Sequence, residues 1–310
     1  MIQLPFNDDV VGSFAGKPMV LSRGTMHTNR FYPLLDIIFE QDGTISVDGL
    51  GKWETKAGML RILDKRGGLH YEFRALETRN GAVYAMGRSV ISTTHDGFER
   101  VTLHEKKTMP GVGVCISSTA SYADITLPVL FKSLKKAGFN MANVFVSVGG
   151  DTKDDGKETV DPKYGVKIFK HKYSRMGYTA LMEFGQLACL PYWLLLHDTC
   201  AVTEDSLKKL AEVDVGMNPD IVLLRPPEER NEIGFYSSEF IQTSVDMPSD
   251  LTATNYLSMM VSRASVVSIL NSPWLVELEQ DIYGTGNKRE TLLFSSLGIK
   301  KFKGKDTGKP

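Results

Sequence analysis

The chain has 310 residues, 42% of them hydrophobic and 24% charged, the balance of a soluble globular protein large enough for two domains. With 36 Lys and Arg against 37 Asp and Glu, the formal net charge is −1, so no bulk field draws it to an anionic membrane or to nucleic acid, which is not an expected partner. Three cysteines, Cys115, Cys189 and Cys200, are too few and too irregularly spaced for a disulfide framework or a cysteine zinc site, which argues for a reducing compartment. The opening MIQLPFNDDVVG has no basic region followed by an apolar run, and nowhere do about 18 apolar residues follow one another. A cytoplasmic protein without a transmembrane segment is expected.

Residues 19 to 107 read as short strands joined by glycine turns, so residues 1–108 are expected to form a small antiparallel β domain. Gln41-Asp42-Gly43, Lys65-Arg66-Gly67-Gly68 and Arg79-Asn80-Gly81 offer the positive φ that tight hairpins need. Alternation such as Leu60, Ile62 and Leu63, or Val83, Tyr84 and Met86, suits half-buried strands. Trp53, Tyr71, Phe73 and Tyr84 either form the core of this domain or line a face that stacks against sugar rings. Such a face would bind an acceptor glycan; otherwise the domain is a support.

Met109-Pro110-Gly111-Val112-Gly113 interrupts the pattern where the period changes, and residues 109–310 are expected to form a second domain. VGVCISS reads as a strand, and ITLPVLFKSLKKAGF as a helix with Leu127, Leu130, Phe131 and Leu134 on one stripe, stopped by Gly138. NVFVSVGGD and VKIFKH are the next strands, RMGYTALMEFGQLA a second helix, and YWLLLHD a further strand. Strand and helix in alternation predict an α/β fold on an open, mixed but mostly parallel sheet flanked by helices, with ligands beyond the carboxyl ends of its strands. His197 and Asp198 stand at such an end.

The order of three motifs resembles glycosyltransferases of the GT-A fold, closest to the inverting family 2 type, over about residues 110 to 303. VCISSTASYADITLPVLFKSLKKAGFNMANVFVSVGGD resembles the family's nucleotide-binding opening, and Ser117, Tyr122, Ser133, Leu134 and Asp151 fall on its positions. Small residues at 117 to 121 also let a planar base approach the backbone, and Asp151 can accept hydrogen bonds from a base or ribose. Arg175 to Leu181, with Thr179, is similar to the stretch that crosses under the donor diphosphate. The apolar strand after it carries the family's metal motif, normally Asp-x-Asp and here His197-Asp198-Thr199-Cys200. The resemblance implies Asp198 as ligand of a divalent ion, with His197 as a possible second, and imidazole suits Mn2+ better than Mg2+. Removing the Asp198 carboxylate is expected to abolish donor turnover while leaving the thermal midpoint nearly unchanged.

WLVELEQDIYGTGNKRETLLFSSLGIKKF resembles the family's second acidic motif: an acid opens a helix that carries an arginine and ends at a glycine before a short basic strand. Glu279 and Asp281 supply the acid, Arg289 the arginine, and Leu297-Gly298-Ile299-Lys300 the exit. In inverting members the acid is the base that deprotonates the acceptor hydroxyl, and Asp281, nearer the helix start, is preferred to Glu279. The resemblance thus implies transfer of a sugar from a nucleotide-sugar donor to a glycan, lipid-linked or protein acceptor in glycan or polysaccharide synthesis. The alternatives are a non-catalytic carbohydrate-binding or assembly protein, because one metal carboxylate is gone, and a nucleotidyltransferase. Phosphate-binding loops, the dinucleotide glycine fingerprint and Gly-x-Ser-x-Gly are absent.

Overall fold

The structure is a computed structural model that describes residues 6, 14–24, 30–47, 49–79, 82–94, 97–120, 123–150, 153–172, 177–184, 190–198, 200–202, 204–223, 234–243, 264–268 and 299–301. The chain divides into two compact units, the first made of Met1–Thr108 with Asp214–Pro219 and Ser265–Pro273, the second of the remainder. Among the described residues no helix is long and apolar enough to cross a membrane.

The first unit is built on strands β1 (Pro18–Gly24), β2 (Arg30–Ile38), β3 (Leu50–Lys56), β4 (Met59–Asp64), β5 (Leu69–Arg79), β6 (Ala82–Thr94) and β7 (Gly97–Glu105). They lie in the order β2-β1-β7-β6-β5-β4-β3, all antiparallel. The expected glycines turn two of the hairpins, Gly43 with φ 83 and Gly67 with φ 84. Alternation sends Met19, Leu21, Leu60, Ile62, Phe73, Val101 and Leu103 into one core, with Trp53 and Tyr71 packed against it. Three of the four aromatic residues that could have formed a sugar-stacking face are therefore turned to the core side. Tyr84, on the other face, is buried and donates to Glu77.

A later stretch of chain, Asp214–Pro219, is strapped onto this unit. Asp214 Oδ2 lies 2.7 Å from Nε2 of the buried His104, and its Oδ1 accepts from the Lys107 and Gly216 amides. Gly216 is required by space: a Cβ there would sit 2.0 Å from the Glu105 carbonyl oxygen. The strand Val266–Ser268 also joins this sheet, parallel to β2.

The second unit contains β8 (Val112–Thr119), α1 (Ala123–Lys136), β9 (Val144–Gly149), β10 (Glu158–Val160), β11 (Lys167–Lys170), α2 (Gly177–Phe184), β12 (Tyr192–His197), β13 (Cys200–Val202), α3 (Ser206–Ala211), β14 (Ile221–Leu223), β15 (Gly234–Ser237) and α4 (Ser238–Thr243). The Val266–Ser268 strand is β16, and β17 (Ile299–Lys301) closes the described chain. The order is β10-β11-β9-β8-β12-β15-β14, with β13 and β17 in a separate antiparallel pair. Parallel pairing is confined to β11-β9-β8-β12; β10, β15 and β14 add antiparallel partners. The sheet is mixed, as expected, but among the described strands of this unit parallel and antiparallel pairings are equal in number, so it is not mostly parallel. The reason lies in chain length: about ten residues separate the end of β14 from the start of β15, fewer than the dozen or more that a parallel crossover needs.

The predicted stripe of α1 is buried, Leu130 and Leu134 completely, and Gly138 with φ 86 ends the helix. Across the sheet, Phe145 stacks on Phe184 of α2 at 4.8 Å and meets Trp193 edge-on at 5.6 Å. Gly113 leaves room for that indole, since a Cβ would come within 2.4 Å of its ring.

Candidate functional site

The carboxyl ends of β8, β9, β11 and β12 form one edge, and the polar residues expected there are sorted by strand alternation. In the parallel register Ser117 pairs with His197, while Trp193 and Leu195 pair with Gly113 and Cys115. This set shares the face that α2 covers. The next residues, Ser118 and Asp198, fall on the opposite face, where α1 lies.

There Asp198 is held firmly. Its backbone amide donates to the Ser117 carbonyl at 2.9 Å, extending the β8–β12 ladder by one step. Its Oδ2 accepts from Ser118 Oγ at 2.7 Å and Thr126 Oγ1 at 2.8 Å. Both hydroxyls are buried, Ser118 at the end of β8 and Thr126 in the first turn of α1, whose dipole favours a nearby carboxylate. One side chain thus ties together β8, α1 and β12.

Sequence reading did not find Ser118 and Thr126. Adjacent serines at 117 and 118 look alike in a string, and only the register decides which faces the carboxylate. Ser133 also plays a structural part, because its Oγ donates to the Leu130 carbonyl and accepts from the Val202 amide at 3.1 Å, docking β13 on α1.

On the α2 face, Nε2 of His171, just beyond β11, lies 2.7 Å from Glu183 Oε1. Burial pushes the Glu183 carboxyl above the ordinary glutamate range, against the opposing pull of His171. The buried Cys115 thiol is pushed well up, by burial first and then by the charge of Glu183.

The expected metal pair, His197 and Asp198, therefore lies on consecutive positions that alternate across the sheet. Among the described residues no group of three or more His, Cys, Asp or Glu could hold an ion. The donor set present fits an ion bound by one carboxylate, with phosphate oxygens and water completing its shell, better than a resident all-protein site.

Of the other expected site residues, Thr179 lies in α2. Tyr122, Asp151, Arg175, Glu279, Asp281 and Arg289 lie outside the described residues. The exit of the second acidic motif is described: β17 pairs antiparallel with β13, Cys200 opposite Lys301, Ala201 opposite Lys300 and Val202 opposite Ile299. The C-terminal stretch thereby returns to within two residues of Asp198.

No protein-family model and no curated protein matches the sequence. Among solved structures, TarS of S. aureus in complex with UDP is 12% identical over 60% of this chain and 70% of that chain, with a TM-score of 0.38. A cytidylyltransferase from Leptospira borgpetersenii is 13% identical over 51% and 74%, also at 0.38. The mannosyltransferase PcManGT from Pyrobaculum calidifontis, in complex with GDP-Man and Mn2+, is 13% identical over 63% and 72%, at 0.34. Likeness of this degree does not show a family.

Proposed function

We propose that the chain is a glycosyltransferase that moves a sugar from a nucleotide-sugar donor to an acceptor hydroxyl by inverting displacement, in glycan or polysaccharide synthesis. The observation that supports this most is the pairing of β17 with β13 beside Asp198. The exit strand of the second acidic motif thus pairs with the residues that follow the first, next to the carboxyl edge of the parallel strands, where open α/β sheets place ligands.

In this reading Ser117, Tyr122 and Asp151 receive the base and ribose, while Arg175, Thr179 and Arg289 attend the diphosphate. Asp198, with or without His197, would hold the divalent ion, Mn2+ in preference to Mg2+, and the charge it supplies would offset that of the departing diphosphate. Asp281, or Glu279 in its place, accepts the acceptor's proton as its oxygen bonds to the anomeric carbon. The bond from that carbon to the donor phosphate breaks, and the nucleoside diphosphate leaves with both electrons.

Calorimetry with UDP and with GDP, each with and without MnCl2, tests the reading, followed by a screen of nucleotide sugars for hydrolysis. Metal-strengthened binding of one nucleotide, and hydrolysis of its sugar, are expected. The closure of Asp198 Oδ2 by two hydroxyls is also what a purely structural carboxylate would show, and it favours the non-catalytic carbohydrate-binding reading as the second. Absence of binding to both nucleotides would select that reading. Release of pyrophosphate from a nucleoside triphosphate would select a nucleotidyltransferase.

A further inference from the structure

The outward face of α1 mixes apolar and basic side chains. Val129, Lys132, Lys135 and Lys136 lie within about 120° of one another around the helix, and all four are exposed, Val129 to 48%. On one flank the loop between β10 and β11 brings Tyr164 edge-on against Phe131, with ring centroids 5.7 Å apart. Lys135 Nζ stands 5.7 Å from the centre of the Tyr164 ring, and Nζ of the exposed Lys163 stands 5.1 Å from it. At the end of the helix, Leu207 of α3 is 38% exposed and lies 3.8 Å from where a Cβ on Gly138 would sit, with the exposed Lys208 beside it.

These lysines gather around a neutral ring instead of a carboxylate, and an aromatic face attracts ammonium groups without cancelling their charge. Among the described residues no acid pairs with Lys132, Lys135, Lys163 or Lys208, while Lys136 is paired with Glu204, and Lys209 with Asp205. Asp161, in the same loop as Lys163, turns its Oδ1 onto the Lys163 and Tyr164 amides. Asp124 belongs to the far end of α1, about 12 Å along the axis from Lys132. Setting aside the Lys209–Asp205 pair, the five lysines 132, 135, 136, 163 and 208 face two acids, Glu204 and Asp161. The formal net charge of −1 for the whole chain thus conceals a local excess of three positive charges.

The residue type narrows the partner. Between Arg100 and Arg225 the sequence has 13 lysines and a single arginine, Arg175. Rigid guanidinium forks suit bidentate recognition of individual phosphates, whereas lysines are mobile point charges that suit a diffuse anionic surface. Phe131 and two ammonium groups already crowd the Tyr164 ring, so it is no free platform for stacking a nucleic-acid base. Exposed valine and leucine among lysines, whose stems lie along apolar surface while their heads reach outward, form a surface that can rest at a lipid interface.

We propose that this surface docks on an anionic lipid bilayer, the lysines meeting headgroup phosphates and carboxylates while Val129 and Leu207 enter the interface. Docking would bring the chain to where a lipid-linked acceptor lies; that consequence rests on the glycosyltransferase reading, and the docking itself does not.

Flotation of the full chain with vesicles of phosphatidylcholine containing about 30% phosphatidylserine, and with vesicles of phosphatidylcholine alone, tests the proposal. No nucleotide is present, so its failure is scored apart from failure of the transferase reading. The anionic vesicles should carry the protein at about 50 mM NaCl and release it at about 500 mM, and the neutral vesicles should not carry it. The double variant Lys132→Glu, Lys135→Glu should lower partitioning about tenfold or more while melting like the wild type. The same change of charge at Lys52 and Lys56, exposed on β3 of the first unit, should alter it less than about twofold, because salt screens distant charges. The proposal is overturned if anionic vesicles are not bound, if neutral vesicles are bound equally, if the two double variants lose binding alike, or if oligo-dT strips the protein from the vesicles.

Discussion

Replacing Asp198 by alanine removes the acceptor of two buried hydroxyls, Ser118 and Thr126, at 2.7 and 2.8 Å. A hydrogen bond to a charged group contributes about 1.5–3 kcal/mol, and the lower part of that range applies here because Asp198 is half-buried and both bonds share one oxygen. The two together, with the orphaned hydroxyls, amount to about 3 kcal/mol, which for a domain of this size lowers the midpoint by roughly 6–12 °C. Asparagine retains an oxygen that can face both hydroxyls, so Asp198→Asn should lose only about 1 kcal/mol while removing the charge that an ion would need. Thermal melts followed by circular dichroism separate the two variants, and calorimetry with UDP or GDP and Mn2+ reads the second effect. The sequence expectation, an alanine variant that melts like the wild type, is reversed by this clamp. Melting of Asp198→Ala within about 2 °C of the wild type would refute the clamp as an energetic element. Equal destabilisation by alanine and asparagine would assign the energy to the charge instead of the hydroxyl geometry.

Gly113→Ala would place a Cβ 2.4 Å from the Trp193 ring, and should cost about 1–3 kcal/mol in a urea melt; an unchanged midpoint would mean that the indole moves without cost. The Asp214 carboxyl works against its own burial and is held below the ordinary range by His104 and by the Lys107 and Gly216 amides. A depressed folded value gives stability that is complete above the unfolded value of about 3.9 and is lost as pH falls through the folded one. The wild type should therefore lose more of its midpoint than Asp214→Asn when acidified below about pH 4, and parallel acid profiles would remove Asp214 from the account.

What could be read from the chain followed from period and length. The α1 stripe of Leu127, Leu130, Phe131 and Leu134 is buried because a 3.6-residue repeat needs no knowledge of its partner. The run Tyr192 to Leu196 is a central strand because an apolar run of that length bounded by polar residues has few other places to go. Long-range pairing was not legible. Asp214 reads as one more acid after a short helix, yet its partner is His104, which sits 110 positions earlier. The strap it anchors returns the chain to the first unit, and local pattern carries no signal for such a return.

The clamp can be structural, or it can orient a ligand, and the two roles predict different things for residues that do not touch the ion. Hydroxyls that fix a ligating carboxylate act from outside the coordination shell, and losing one typically lowers metal affinity about 10–100-fold. Ser118→Ala and Thr126→Val each remove one hydroxyl and leave the Asp198 carboxylate in place. If Asp198 presents its remaining oxygen to an ion, both variants should weaken the Mn2+-dependent part of nucleotide binding by such a factor while metal-free binding is kept. A purely structural clamp would lower the melting midpoint of both variants and leave the Mn2+ increment unchanged. Because His197 points with Ser117 to the other face, its replacement by alanine should affect that increment less than either hydroxyl does. A larger effect of His197→Ala would instead mean that the ion sits beyond the strand end, where alternation no longer separates the two.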